Sequence, residues 1–322
     1  MLGRIILKFL RHVRSQQSSV QPERARPMPE FPPAFEAWVY RALYPELAHL
    51  DDSLVLQEYN LVGRLDGRRG HQVHDRIAFC KLIPKNVKAL EIGPFAAPLV
   101  RTQNVKYADI YSTSELNELA PTLNFGTDEI PEIHWVVDPN DLSTIDEKFA
   151  IVLTSHVIEH SPNLVAHLNQ IENLLKLGGR YFLLIPDHRY CFDHFHSPST
   201  ISQIIGAHIE NRRTHTATSF IETRLLHAHN DPIEHWAGNH GAPAFHPVFP
   251  LDDRIKRVQD ALQLLQSGHI VKNEHAWYFT PDTFESIIND LNDLEIINLE
   301  IERMYPTMKD SGEFWVILRS KN

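Results

Sequence analysis

Two short stretches gather the side chains best suited to moving protons. One is Ser155-His156-Val157-Ile158-Glu159-His160, the other Pro186-Asp187-His188-Arg189, and each follows directly on an apolar run. A histidine titrates near neutral pH, so it can take a proton from a hydroxyl nucleophile, and a carboxylate beside it can orient the ring. His188 and His156 are thus the candidate bases, with Asp187 orienting or binding a substrate. The plainer reading is that either ring only hydrogen-bonds backbone or a ligand at a strand end.

A second set is acidic. Glu91, Asp109 and Asp138 each close an apolar run, in VKALEIGP, VKYADIY and IHWVVD. A carboxylate there can accept hydrogen bonds from the amine or hydroxyl groups of a ligand, and Gly93 lets backbone approach closely. Taken singly, each acid also reads as a helix cap or a turn residue.

Such positions line up only if the apolar runs are parallel strands whose carboxyl ends share one edge. The sequence supports that. Val87–Ile92, Val105–Tyr111, Ile133–Asp138, Phe149–Thr154 and Arg180–Ile185 read as buried strands. Ser112-Thr113-Ser114-Glu115 has capping-box character and opens a helix through Leu119. Asn163–Leu177 is a helix with Leu164, Leu168, Ile171, Leu174 and Leu175 inward, stopped by Gly178-Gly179. Thr280-Pro281-Asp282 starts another, and Glu295–Arg303 with Phe314–Leu318 forms a terminal hairpin. The fold class is α/β: a Rossmann-like, doubly wound, seven-stranded sheet with a terminal antiparallel hairpin and a long insert after the fifth strand.

In this order, LEIGP, the acid ending the second strand, VVDPNDL, SHVIEH and LLKLGGRYFLLIPD resemble the motifs of class I S-adenosylmethionine-dependent methyltransferases, over roughly residues 87–319. The resemblance extends to a subgroup found among bacterial polysaccharide-biosynthesis genes. It implies that Glu91 and Gly93 sit at the amino-acid end of S-adenosylmethionine, and that Asp109 accepts from the ribose hydroxyls. Asp138 would meet the adenine amine, a backbone N–H near Asn140 the adenine ring, and Ser155-His156 the sulfonium. The pattern is broken twice. Pro94-Phe95-Ala96-Ala97 follows Gly93 where further glycines are usual, and Ala150 stands where an aspartate is common.

The histidines are unevenly spread. Of the 20 in the chain, 12 fall between Asp187 and His275, interleaved with aromatics such as Tyr190, Phe192 and Trp236. Aromatic faces beside hydrogen-bonding groups suit a sugar acceptor, and this insert (187–275) is where the resemblance places acceptor recognition. A divalent metal could be held by His227, His229, Asp231 and His235, or by His156, Glu159 and His160, the latter resembling a metal-ligand position of some ubiquinone-pathway O-methyltransferases. No spacing is a tight metal signature, and no metal is expected.

Residues 1–34 and 35–85 precede the catalytic region. Met1–Arg14 reads as a basic amphipathic helix, able to lie on an anionic membrane, dock on its own domain, or serve as a transit peptide. Residues 15–34 read as a flexible linker. Phe35–Arg69 resembles a small helical module that accompanies bacterial glycosyltransferases. The formal net charge of -10 argues against nucleic acid, and two separated cysteines against a disulfide framework, so cytoplasmic residence, peripheral at most, is expected. The expected activity is methyl transfer to a hydroxyl of a saccharide or glycolipid. The alternatives are a small non-sugar acceptor, or a non-catalytic binding module of the same fold.

Overall fold

The computed structural model describes residues 25, 28–241, 251–268, 270, 271 and 274–321. The amphipathic Met1–Arg14 segment lies outside these residues. Among them, no helix is long and apolar enough to cross a membrane.

Seven strands make one sheet: β1 (Ala89–Ile92), β2 (Val105–Asp109), β3 (Trp135–Val136), β4 (Phe149–Ser155), β5 (Leu175–Pro186), β6 (Leu299–Tyr305) and β7 (Glu313–Ser320). Their spatial order is β3-β2-β1-β4-β5-β7-β6. The first five run parallel, while β7 is antiparallel to both β5 and β6. Strand order reverses between β1 and β4, which opens a crevice at their carboxyl ends. This is the expected doubly wound, seven-stranded α/β sheet, closing hairpin included.

Side chains alternate between two cores, as the two-residue strand period requires. Leu90, Val152, Leu183 and Ile185 face the helices Leu164–Leu174 (α1) and Pro281–Asp293 (α2). Ala89, Ile151, Leu153, Phe182 and Leu184 face the opposite way, against Phe79 and Phe31. A sheet covered on both sides explains why its strands read as continuous apolar runs.

The structure departs from the sequence reading in four places. Residues 93–104 and 137–148, which connect β1 to β2 and β3 to β4, carry turns and no helix, so the expected succession of β-α units is interrupted. The helix expected to reach Leu177 ends at Leu174, and β5 begins at once. Gly178, with φ 73°, sits inside the strand where the β4–β5 register shifts, so the glycine pair makes an irregularity in β5 and does not cap a helix. The final hairpin starts at Leu299, four residues later than expected at Glu295. Residues 28–34, linker-like in composition, lie against the sheet: Phe31 is buried edge-on to Phe182, and Tyr305 Oη donates to the Pro32 carbonyl at 2.7 Å.

The helical segment ahead of β1 has its own small core of Tyr40, Val55 and Tyr59. It is tied to the rest through Gly67, whose carbonyl accepts from the Lys309 N–H at 2.8 Å, and through Arg64 and Asp282 at 2.9 Å.

Candidate active site

The carboxyl ends of β1, β2 and β4 bring Gly93, Asp109 and Ser155-His156 to one edge, and the antiparallel β7 delivers Glu313 to the same edge. Each acid has acquired a definite task there.

Glu91 is buried in β1. Its Oε1 accepts from the Leu99 N–H at 2.8 Å and its Oε2 from the Val100 N–H at 3.1 Å. Burial pushes its pKa up to about 7, against these two bonds. With no helix after β1, this carboxylate clasps the crossover loop in the helix's stead. Gly93, with φ 74°, turns the chain out of the strand in a conformation that favours glycine. A Cβ there would also lie 2.8 Å from Val157.

Asp109 Oδ2 accepts from the Phe95 N–H at 3.2 Å, and Oδ1 from the Tyr111 N–H at 3.1 Å. Burial raises its pKa, opposed by these bonds. The Ile110 N–H also bonds the carboxylate, so three of its about four acceptor directions are taken within the protein. Val136 pairs with Asp109 across β2–β3 and is 52% exposed, with Ile110 partly exposed beside it. A hydrogen-bond acceptor thus lies next to exposed aliphatic side chains. Asp138 holds the turn that follows β3, its Oδ1 accepting from the Asn140 N–H at 2.8 Å, while Asn140 Nδ2 donates to the Arg213 carbonyl of the insert at 3.0 Å.

His156 has φ 53°, an uncommon left-handed conformation outside glycine. Its side chain is 42% exposed, and its Nε2 lies 2.8 Å from Glu313 Oε2. Arg76, from the short helix Arg76–Cys80, grips the same carboxylate through Nε at 3.1 Å and Nη2 at 2.7 Å, and Trp315 Nε1 donates to it at 2.9 Å. Burial works to raise the Glu313 pKa, but the His156 hydrogen bond and the Arg76 charge prevail and hold it at about 2. The carboxylate fixes the imidazole by Nε2, while Nδ1 on the other side lies 3.7 Å from Glu159 Oε1. Neither Arg76 nor Glu313 carries a sequence signal: they are 237 residues apart.

The other base candidate is differently placed. Asp187 is fully buried and committed to Arg189 at 2.9 and 2.6 Å and to Thr307 Oγ1 at 2.6 Å. His188 is buried, and burial lowers its pKa. Asp187 therefore orients the turn after β5, while His156 alone of the two histidines is open to solvent.

Behind His156 is a buried group of which the sequence spacing named two members, Glu159 and His160, and missed the third, His275. Glu159 is fully buried, and neither of its carboxylate oxygens has a hydrogen-bond partner. Burial raises its pKa. A ligand atom of Glu159, of His160 and of His275 can lie within 4.8 Å of one another. Of the expected set His156, Glu159 and His160, the first keeps Nδ1 3.7 Å from Glu159 Oε1 but gives Nε2 to Glu313, and His275, from the far end of the insert, completes the group with its Nε2 3.9 Å from the same oxygen. His275 Nδ1 is 2.5 Å from Asp193 Oδ2, a contact typical of an oriented ligand or proton carrier.

No family model and no curated protein matches the chain. Among solved structures, it resembles the CcbJ methyltransferase from Streptomyces caelestis, at 11% identity and TM-score 0.40 over 76% of this chain and 93% of that one. An S-adenosylmethionine-dependent methyltransferase from Mesorhizobium loti aligns at 14% and 0.38 over 75% and 95%. One from Clostridium acetobutylicum ATCC 824 aligns at 11% and 0.39 over 87% and 100%. The strand order, rather than these distant likenesses, assigns the fold.

Proposed function

We propose that this chain is an S-adenosylmethionine-dependent O-methyltransferase whose acceptor is a saccharide or glycolipid hydroxyl. The observation that carries it is the His156–Glu313 pair at the carboxyl edge of β4, beside the Gly93 turn and the Asp109 carboxylate. The bound methyl donor supplies an activated methyl group on a sulfonium. The protein's part is then to hold the acceptor in line, exclude water and remove one proton. Asp109 would hold the ribose through the acceptor capacity its carboxylate retains, and Val136 and Ile110 would offer an apolar surface beside it. His156 takes the proton from the acceptor hydroxyl, its ring set by Glu313.

The sugar reading is supported by the insert. It is dense in aromatic and imidazole rings, the side chains that pack on a sugar's apolar face and bond its hydroxyls. Peripheral membrane contact through residues 1–14 would bring the enzyme to a lipid-linked acceptor. Calorimetric titration of S-adenosylmethionine and of its demethylated product tests the first half of the proposal. Micromolar binding is expected, and absence of binding by folded protein would leave only a binding module of this fold. Radiolabelled methyl transfer to a panel of saccharides and phenols separates a sugar acceptor from a small non-sugar one.

A further inference from the structure

The insert contains a second group of imidazoles, remote in sequence from SHVIEH. His194 follows the turn after β5, His235 lies in the short helix Pro232–Trp236, and His240 in the loop beyond it. One ring nitrogen from each lies within 4.8 Å of the other two. The His235 and His240 Nδ1 atoms are 3.1 Å apart, and the His194 and His240 rings are parallel at 3.8 Å.

Tautomers can be read from the outer partners. His194 Nδ1 is 2.6 Å from the Arg189 carbonyl, and His235 Nε2 is 3.0 Å from the His229 carbonyl. A carbonyl only accepts, so both of these nitrogens carry the proton. That leaves lone pairs on His194 Nε2 and His235 Nδ1. Backbone carbonyls fixing the outer nitrogen is the usual support of metal-ligating histidines.

The neighbouring residues are excluded by the same reasoning. His229 Nε2 donates to the Asn239 carbonyl at 2.7 Å, and its Nδ1 accepts from the Asp231 N–H at 3.1 Å, so both nitrogens are committed. The Asp231 carboxylate caps the Pro232–Trp236 helix through the Ile233 and Glu234 N–H groups. His227 is stacked on Phe192 instead. Of the sequence-expected set His227, His229, Asp231 and His235, only His235 survives as a ligand.

We propose that His194, His235 and His240 bind a late first-row divalent cation, zinc foremost, with a fourth position left to water or another ligand. Tetrahedral zinc with imidazole nitrogens at about 2.0–2.1 Å sets those nitrogens roughly 3.4 Å apart, so binding must draw the triad in and turn His194 and His240 out of their 9° stack for their in-plane lone pairs to converge. Neutral imidazoles suit zinc, copper or nickel, and disfavour magnesium and calcium. The ion would clamp the segment after β5 to the middle of the insert, and its binding requires no methyl donor.

The test uses the full chain, freed of metal by a chelator and then titrated with Zn²⁺ and with Co²⁺. Bound metal is read by elemental analysis after dialysis, and coordination by the visible bands of tetrahedral Co²⁺. Loss of one equivalent is expected in His194→Ala and in His240→Ala, with Co²⁺ affinity falling by more than the roughly 10–100-fold that an outer partner is worth. His227→Ala should keep full stoichiometry. His240→Asn on its loop serves if either alanine variant fails to fold, as judged by circular dichroism. No metal in the native protein, unchanged stoichiometry in the folded His240 variants, or loss of the ion only in His275→Asn would each overturn the proposal. The last result would assign the ion to the Glu159 group.

Discussion

His156 and Glu313 are separated by 157 residues, yet imidazole Nε2 and carboxylate Oε2 stand 2.8 Å apart at the edge where β4 ends and β7 begins. The contact exists because β7 enters the sheet antiparallel beside β5, so its first residue arrives at the carboxyl ends of the parallel strands. Arg76 completes the pair from outside the sheet, holding the carboxylate ionised.

Replacing Glu313 should therefore affect both chemistry and acid stability. Glu313→Gln leaves His156 without its charged partner, and a fall in kcat of about 10–100-fold with little change in KM is expected. The folded pKa of about 2 lies below the ordinary value of 4.5. The group's stabilisation is thus complete above about pH 4.5 and lost as pH falls towards 2. On the scale of 1.36 kcal/mol per pKa unit it amounts to about 3 kcal/mol. Urea unfolding at pH 7 and pH 3 should show the native protein losing more stability than the variant. Equal losses would remove Glu313 from the acid transition.

The base assignment separates two histidines. His156→Gln should cut kcat by about 10²–10⁴-fold while leaving S-adenosylmethionine affinity nearly unchanged. His188→Asn, at a buried ring, should lower thermal stability and spare most turnover per folded molecule. The reverse ranking in single-turnover kinetics would move the base to His188.

Asp109 is proposed to hold the ribose through the acceptor capacity its carboxylate retains. Asp109→Ala should weaken S-adenosylmethionine binding by about 10–100-fold, the loss expected for hydrogen bonds to a charged acceptor. Asp109→Asn should fall between the variant and the native protein. Calorimetry decides it, and an unchanged dissociation constant in Asp109→Ala would displace the ribose from this carboxylate.

Glu91 is assigned to the loop. Glu91→Ala strands the Leu99 and Val100 N–H groups, and a cost of about 2–4 kcal/mol follows from two poorly satisfied donors. Its folded pKa of about 7 is raised above 4.5. Whatever the proton adds to stability is complete below pH 4.5 and lost as pH rises through 7. The destabilisation should accordingly be larger at pH 5 than at pH 8. Urea midpoints at the two pH values measure this, and a larger effect at pH 8 would mean that the ionised form is the one the fold prefers.

The sequence determined what depends on local pattern. Buried strands covered on both faces had to be apolar throughout, so β1, β2, β4 and most of β5 could be read directly. Ser112 and Thr280 announced their helices because a cap bonds residues two or three positions away. The acids at strand ends were visible for the same reason. What such a pattern lacks is any record of partners at long range. Nothing local says that the Glu91 carboxylate closes a loop in place of a helix, that Glu313 meets His156, or that His275 joins Glu159 from the far end of the insert. Histidine spacing suggested His227 and His229 as ligands. The chain's path instead put one against Phe192, spent both nitrogens of the other on backbone, and carried His194 and His240 to His235. Helix caps are fixed by bonds within one turn, whereas a site is fixed by where the strands end in space, and that only the tertiary structure decided.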